Sequence, residues 1–185
     1  GRSAGLDAVR DHFYRGSIAE RIIKFMDTFR CRDIYGQEHT GLMTLQDFDA
    51  FHARIEQPVT TNYRGLTVNK CGAWTQGPVM LQQLNLLEGY NLAEMGHNSV
   101  EYLHTYVECS KLAFADREQY YADPDFATVP LEKLLSKQYA EGRRRLIDPE
   151  EASVELRPGG VPPIKLREYG KVDRQEGDTV HLEVV

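Results

Sequence analysis

The chain closes on Gly177-Asp178-Thr179-Val180-His181-Leu182-Glu183-Val184-Val185. A polar, glycine-containing approach runs into an alternating segment. On a two-residue period Val180, Leu182 and Val184 share one face, and Thr179, His181 and Glu183 share the other. The pattern predicts a β-strand headed by Thr179.

A threonine at the head of a strand suits one particular chemistry. If the chain is cut before Thr179, the new terminal amine can take the hydroxyl proton while the oxygen attacks a carbonyl. The same face also suggests a Thr179/His181/Glu183 triad. Geometry argues against it: residues two apart on a flat strand lie about 6.6 Å apart at Cα and point in parallel. The competing reading of the segment is an edge strand with a polar outer face.

The 185 residues suffice for one domain with a real core, or for a large piece of a bigger one. With 22 basic and 28 acidic side chains the net charge is -6, which argues against an electrostatic nucleic-acid binder. Arg143-Arg144-Arg145 is the one basic run, and acidic neighbours make it read as a solvated helix end. No apolar run approaches the ~18–20 residues of a membrane span. No signal-peptide pattern is legible, which leaves the compartment open between periplasmic or secreted and cytoplasmic. Cys31, Cys71 and Cys109 are widely spaced and read as reduced thiols.

Helical periodicity organises much of the chain. Residues 17–29 carry an apolar stripe of Ile18, Ile22, Phe25, Met26 and Phe29 behind a Ser17/Glu20 capping box. Phe13-Tyr14-Arg15-Gly16 reads as a turn feeding that cap, and residues 30–43 as a loop. Thr44 and Asp47 open a short helix bearing Leu45, Phe48, Phe51 and Ile55, ended by Pro58. Tyr63-Arg64-Gly65 is a turn before a short strand over 66–69. Pro78 starts a third helix with Met80, Leu81, Leu84 and Leu87 buried and Gly89 as C-terminal cap.

The longest helix is expected from an Asn98/Glu101 cap to about Tyr121, with Leu103, Val107 and Phe114 on one side and Tyr102, Tyr106, Cys109, Ala113 and Tyr120 widening the apolar surface most of the way round, as in a central helix packed on several sides. Asp116 and Arg117 read as a buried charge pair. Glu101-x-x-His104 has the spacing of half a di-iron site but lacks a second copy, so no metal is assigned. Asp123-Pro124-Asp125-Phe126 is a turn without the ligand order of a calcium loop. Two short helices, 131–135 and 136–146, end at Asp148-Pro149. A connector of about thirty residues then leads to Thr179, a length uncommon inside a compact domain unless functional or flexible.

Several strings in this order resemble the gamma-glutamyltransferase family. They are Phe13-Tyr14-Arg15-Gly16, Tyr63-Arg64-Gly65, the run from Leu81 to Gly89, Lys111-Leu112-Ala113-Phe114-Ala115-Asp116-Arg117, Asp123-Pro124-Asp125-Phe126 and Ile147-Asp148-Pro149. The resemblance covers nearly the whole chain and places Gly177-Asp178-Thr179 at the family's processing site. It implies an N-terminal-nucleophile hydrolase that cuts itself at Asp178–Thr179 into a large and a small subunit. Thr179 is then the catalytic nucleophile, and His181 belongs to the strand. Glu183 departs from the small serine often found at that position in the family.

By this resemblance the fold class is α+β: a mainly helical fragment of an αββα sandwich. Residues 1–149 form the helical part of the large subunit, 150–178 the connector, and 179–185 the first strand of the small subunit. The implied substrates are glutathione or another gamma-glutamyl compound, with an amino-acid or peptide acceptor or water. No cofactor is implied. The partners are the remainder of the large and small subunits, and a homodimer formed by strand or helix exchange is expected. In the family the substrate-gripping arginine lies earlier in the large subunit, and the oxyanion-hole glycines lie after the threonine strand. The isolated chain is therefore expected to be inactive. The alternatives are an acylase of the same fold, acting on a cephalosporin or glutaryl amide, and a non-catalytic helical binding module.

Overall fold

The computed structural model describes residues 1–160. They divide into two compact units, 1–56 and 57 onward. Helices dominate, and the strands are short. None of the described helices is long and apolar enough to cross a membrane.

The first unit begins with a helix that the sequence reading omitted. Helix α1 (Arg2–Tyr14) is followed by α2 (Ser17–Thr28). Phe13 and Tyr14 are thus the last turn of α1 rather than a free turn, and the legible signal was the three-to-four spacing of Leu6, Val9 and Phe13. Gly16, not Ser17, is the N-cap of α2, and no side chain caps that end. Close approach explains the glycine: a Cβ there would meet the His12 carbonyl oxygen at 2.6 Å.

Residues 30–43, read as a loop, contain a two-residue ladder. β1 (Cys31–Arg32) pairs antiparallel with β2 (Glu38–His39). Asp33 holds its turn, accepting from the Tyr35 and Gln37 amides at 2.9 and 2.8 Å and meeting His39 Nε2 at 2.9 Å. Those amide donors, Gln37 foremost, hold the Asp33 carboxyl below the usual range. The Thr44/Asp47 capping box opens α3 (Leu45–Ala50) as expected, with both reciprocal bonds formed. That helix stops at Ala50, well before Pro58, and Ile55 lies outside it and fully exposed. Phe48 is buried, and Tyr14 stacks on Phe51 at 5.7 Å.

The second unit opens with a hairpin, β3 (Val59–Tyr63) against β4 (Leu66–Lys70), in register from Val59↔Lys70 to Tyr63↔Leu66. Its two loop residues, Arg64 and Gly65, have φ of 51° and 86°. Two positive values at the centre of a two-residue loop match the right-handed twist of the strands. Helix α4 (Gly77–Leu87) carries Pro78 in its first turn. Leu81 and Leu87 are buried as expected, but Met80 is exposed and Gln82 and Asn85 are buried instead. Gly89 does not adopt the left-handed cap conformation, since Glu88 ends the helix in αR geometry. Its lack of a Cβ leaves room for the Arg144 side chain.

Helix α5 (Val100–Tyr120) is the longest of the described helices. Its cap is Ser99, whose Oγ accepts the Tyr102 amide at 3.1 Å, one residue later than the expected Asn98. Of the expected apolar surface, Cys109, Ala113 and Tyr120 are buried. Leu103, Val107 and Phe114 are exposed, whereas Thr105, Glu108, Cys109, Leu112, Asp116 and Tyr120 face inward. Helices α6 (Leu131–Leu134) and α7 (Lys137–Arg144) follow, the latter capped by Ser136 through the Tyr139 amide. Val79, Leu86 and Leu87 of α4 pack with Cys109, Leu112 and Ala113 of α5 and Ala140 of α7. Truncating a fully buried member such as Leu112 to alanine costs about 2–5 kcal/mol in such a setting.

Candidate functional site

Thr179, Asp178, His181 and Glu183 lie outside the described residues, as does the segment 161–178. What the structure describes is the apparatus that receives residues 153–159. It is built on α5 from two carboxylates eight positions apart, Glu108 and Asp116, each only 1% exposed. Two turns and a fraction of helix separate them by about 12 Å.

Glu108 is the first anchor. Its Oε1 accepts from Lys111 Nζ at 2.6 Å and from the Ser153 amide at 3.2 Å, and its Oε2 accepts from Arg157 Nη2 at 2.9 Å. Lys111 also donates to the Ser153 carbonyl at 2.8 Å, and Arg157 Nη1 to the Leu146 carbonyl at 2.6 Å. Burial is the largest single influence on the Glu108 carboxyl and opposes its ionisation. Lys111, the Ser153 amide and Arg157 together outweigh it and hold the carboxyl below its usual range.

Asp116 is the second anchor. Its Oδ1 accepts the Gly159 amide at 2.7 Å and meets Arg143 Nη2 at 3.5 Å. Its Oδ2 accepts from Gln82 Nε2 and from the Tyr139 hydroxyl, both at 2.9 Å. Gln82 Oε1 in turn accepts from the Tyr121 hydroxyl at 2.5 Å. Burial first, and the Asp116 charge second, push the Tyr121 and Tyr139 hydroxyls up, so both stay protonated donors. Gly159 fits here because a Cβ would run into the Tyr139 hydroxyl, and the Tyr120 hydroxyl donates to the Gly159 carbonyl.

Two sequence expectations are corrected by this network. Asp116 does not pair with Arg117, which bonds Glu118 and lies over the Phe114 ring. Adjacent helix positions point about 100° apart, so the carboxylate enters the core while its neighbour stays near the surface. Arg143-Arg144-Arg145 is not a solvated helix end either. Arg143 is buried, donating to the Arg157 carbonyl, and Arg144 Nη1 donates to the Asn85 carbonyl at 3.0 Å. Only Arg145 remains at the surface, with Glu141. The inward course of Arg143 follows from the acid it meets.

The remaining candidates have local roles. His104 Nε2 donates to the Asp148 carbonyl at 2.7 Å, tying α5 to the end of the helical part. Asp123 Oδ1 accepts the Asp125 amide at 2.8 Å within its turn. Cys31 and Cys71 are exposed free thiols, and Cys109 is a buried one that burial pushes up to about 12. Asn85, 1% exposed, joins three parts of the second unit. It accepts from Thr61 Oγ1 at 2.6 Å and Lys137 Nζ at 2.7 Å, and donates to the Leu135 carbonyl at 2.8 Å.

A family model for gamma-glutamyltranspeptidase matches residues 4–185, and the chain belongs to that family. A glutathione hydrolase-like YwrD proenzyme of Bacillus subtilis is 38% identical over 132 residues, covering 71% of this chain and 23% of the relative. Among solved structures, gamma-glutamyltranspeptidase of Helicobacter pylori aligns with a TM-score of 0.72 at 29% identity, over 81% of this chain and 41% of the other. Cephalosporin acylase of Bacillus halodurans aligns with a TM-score of 0.63 at 32% identity, over 75% of this chain and 24% of the other. The chain spans about a quarter of the length of the curated relatives it matches.

Proposed function

We propose that this chain is the part of a self-processing gamma-glutamyltransferase that carries the end of the large subunit and the start of the small one. Residues 1–149 supply the helical part, 150–178 the connector and 179–185 the first strand, within a four-layer αββα sandwich. The observation that carries this reading is the extent of the family match, which runs through Asp178–Thr179 to residue 185. That a similar protein is described as a proenzyme supports a processing step.

In this reading Thr179 Oγ adds to the Asp178 carbonyl carbon. The C–N bond breaks, the hydroxyl proton passes to the departing nitrogen, and water hydrolyses the resulting ester. Thr179 is left with a free amine and a free hydroxyl. The amine takes the hydroxyl proton during attack on the gamma-glutamyl carbonyl of glutathione or a related amide. The acyl group then passes to an amino acid, a peptide or water. While Asp178–Thr179 is intact the nitrogen is an amide and cannot serve as that base. Each absent oxyanion donor removes a further ~2.7–4 kcal/mol of transition-state stabilisation. The 185-residue chain alone is therefore inactive.

The test is turnover of a gamma-glutamyl anilide. The full-length parent turns it over, Thr179→Ala abolishes turnover, and the isolated chain shows none. Full activity in the Thr179→Ala parent would refute the nucleophile assignment. The likeness to a cephalosporin acylase favours one second reading, cleavage of a different amide by the same threonine. Cephalosporin-amide hydrolysis without gamma-glutamyl turnover would establish it.

A further inference from the structure

The inner face of α5 packs on α4 and α7, but a second apolar face of the same helix looks outward. Leu103, Val107, Ser110 and Phe114 follow one another at intervals of four, three and four, so at about 100° per residue they share a sector of about 60°. Tyr106 flanks the line and stacks on Tyr102 at 6.4 Å. Leu103, Tyr106, Val107 and Phe114 are each 39–47% exposed. Apolar side chains scattered singly over a surface are ordinary, whereas a continuous line of them marks a contact. The polar groups beside the line are turned back onto this chain. Ser110 Oγ donates to the Tyr106 carbonyl at 2.8 Å, His104 Nε2 to the Asp148 carbonyl at 2.7 Å and Lys111 Nζ to Glu108 at 2.6 Å, and Arg117 pairs with Glu118. A cover can therefore exclude water here without leaving those groups unbonded, and no charge is asked of it.

Size selects the cover. From Leu103 to Phe114 the helix advances about 16 Å, and a helix is about 10 Å across, so the face offers on the order of a few hundred Å². A stable dimer needs about 800 Å² from each partner, so this face alone does not hold a second copy of the chain. About three quarters of each curated relative, by contrast, has no counterpart in this chain. A contact within one polypeptide forms on a smaller area, because it loses no translational freedom. We propose that the line Leu103–Val107–Phe114 on α5 is an internal docking face, covered in the full-length parent by an uncharged apolar face of the polypeptide outside this chain. The inference rests on the proposed reading of this chain as part of a longer gamma-glutamyltransferase.

The experiment places a thiol on the face, Val107→Cys in the full-length parent. Its modification by a disulfide reagent at pH 8 is followed by peptide mapping, in the native protein and in urea. The introduced thiol is expected to react at least about thirtyfold more slowly in the native parent than in the unfolded one, with no change on dilution of the protein. In the 185-residue chain the same substitution is expected to give less than that protection. Smaller protection in the native parent overturns the proposal. So does protection that fades on dilution together with a dimeric mass in light scattering, which would make a second copy the cover. Equal protection in the 185-residue chain also overturns it, since the cover would then lie within this chain. If Val107→Cys does not fold, Ser110→Cys, which exchanges a single atom on the same line, decides by the same limits. The reading beneath the proposal fails by a different measurement: a parent that stays uncut and does not turn over a gamma-glutamyl anilide sinks that reading, while protection at position 107 is read equally well on the uncut chain.

Discussion

Asp116→Asn is the sharpest probe of what holds the second unit together. The substitution keeps shape and volume and changes one oxygen into an NH2 group. Every partner that faces the side chain is a donor: Gln82 Nε2, the Tyr139 hydroxyl, the Gly159 amide and Arg143. Whichever way the amide turns, its NH2 faces two of them. The Tyr139 hydroxyl can reverse its role and accept, and Gln82 can do so by turning its amide over while the Tyr121 hydroxyl becomes the acceptor; the Gly159 amide and Arg143 cannot. The substitution loses hydrogen bonds to a charged acceptor, worth about 1.5–3 kcal/mol each, and leaves Arg143 buried without its carboxylate. Removing one member of a buried pair costs about 3–5 kcal/mol, so the expected loss is in that range. With a urea slope of ~2 kcal/mol per M, the midpoint of unfolding followed by circular dichroism at 222 nm falls by roughly 2 M. Arg143→Met is the companion. At 3.5 Å Arg143 is the most distant of the four donors, and Asp116 keeps the other three. Its loss should cost less, about 1.5–3 kcal/mol. An Asp116→Asn chain within ~1 kcal/mol of wild type, or an Arg143→Met chain that is the less stable of the two, would refute the reasoning.

Other outcomes follow from single sites. Gly65 has φ of 86°, so Gly65→Ala should destabilise the chain by about 1–2 kcal/mol in the same urea experiment, and no change would show that the hairpin loop relaxes. At pH 8 a disulfide reagent should modify Cys31 and Cys71 in the native chain and reach Cys109 only after unfolding, because its thiol is buried and pushed up to about 12. Equal rates at all three cysteines would contradict that burial. Glu108 is held below its ordinary value of 4.5, so its contribution is fully present above that pH and is lost as pH falls through its lower folded value. Stability in urea should therefore decline below about pH 4.5, and Glu108→Gln should flatten the decline.

Helix existence was legible from periodicity, and helix faces were much less so. The Thr44/Asp47 box announced α3 because a Thr and an Asp three apart satisfy each other's amides locally. Ser17/Glu20 offered the same spacing, but local crowding by His12 at the end of α1 put Gly16 at the cap, where a missing Cβ clears the preceding turn. On α5 the apolar residues 103, 107 and 114 pointed to the wrong side. The true inner face mixes Leu112 and Cys109 with Glu108 and Asp116. Apolar spacing cannot find a face whose organising residues are charged, because most of their partners come from 23 or more residues away in sequence, such as Tyr139, Gln82 and Arg157. Lys111 offered the one local hint, three residues after Glu108.

The segment after Asp148-Pro149 was recognisable by its change of composition. Its fastening was not, because Arg157 and Gly159 carry no pattern of their own. Thr179 became a candidate from its place at the head of an alternating segment and from the resemblance of the strings before it. Periodicity alone left it no better than an edge strand.

The central claim is that Thr179 cuts its own chain and becomes an amino terminus. Intact mass and N-terminal sequencing of the purified full-length parent test it most directly. The account predicts a large fragment ending at Asp178 and a small one beginning Thr179-Val180-His181, with a single uncut chain for Thr179→Ala. A cut at any other bond, or an equally cut Thr179→Ala protein, would contradict it.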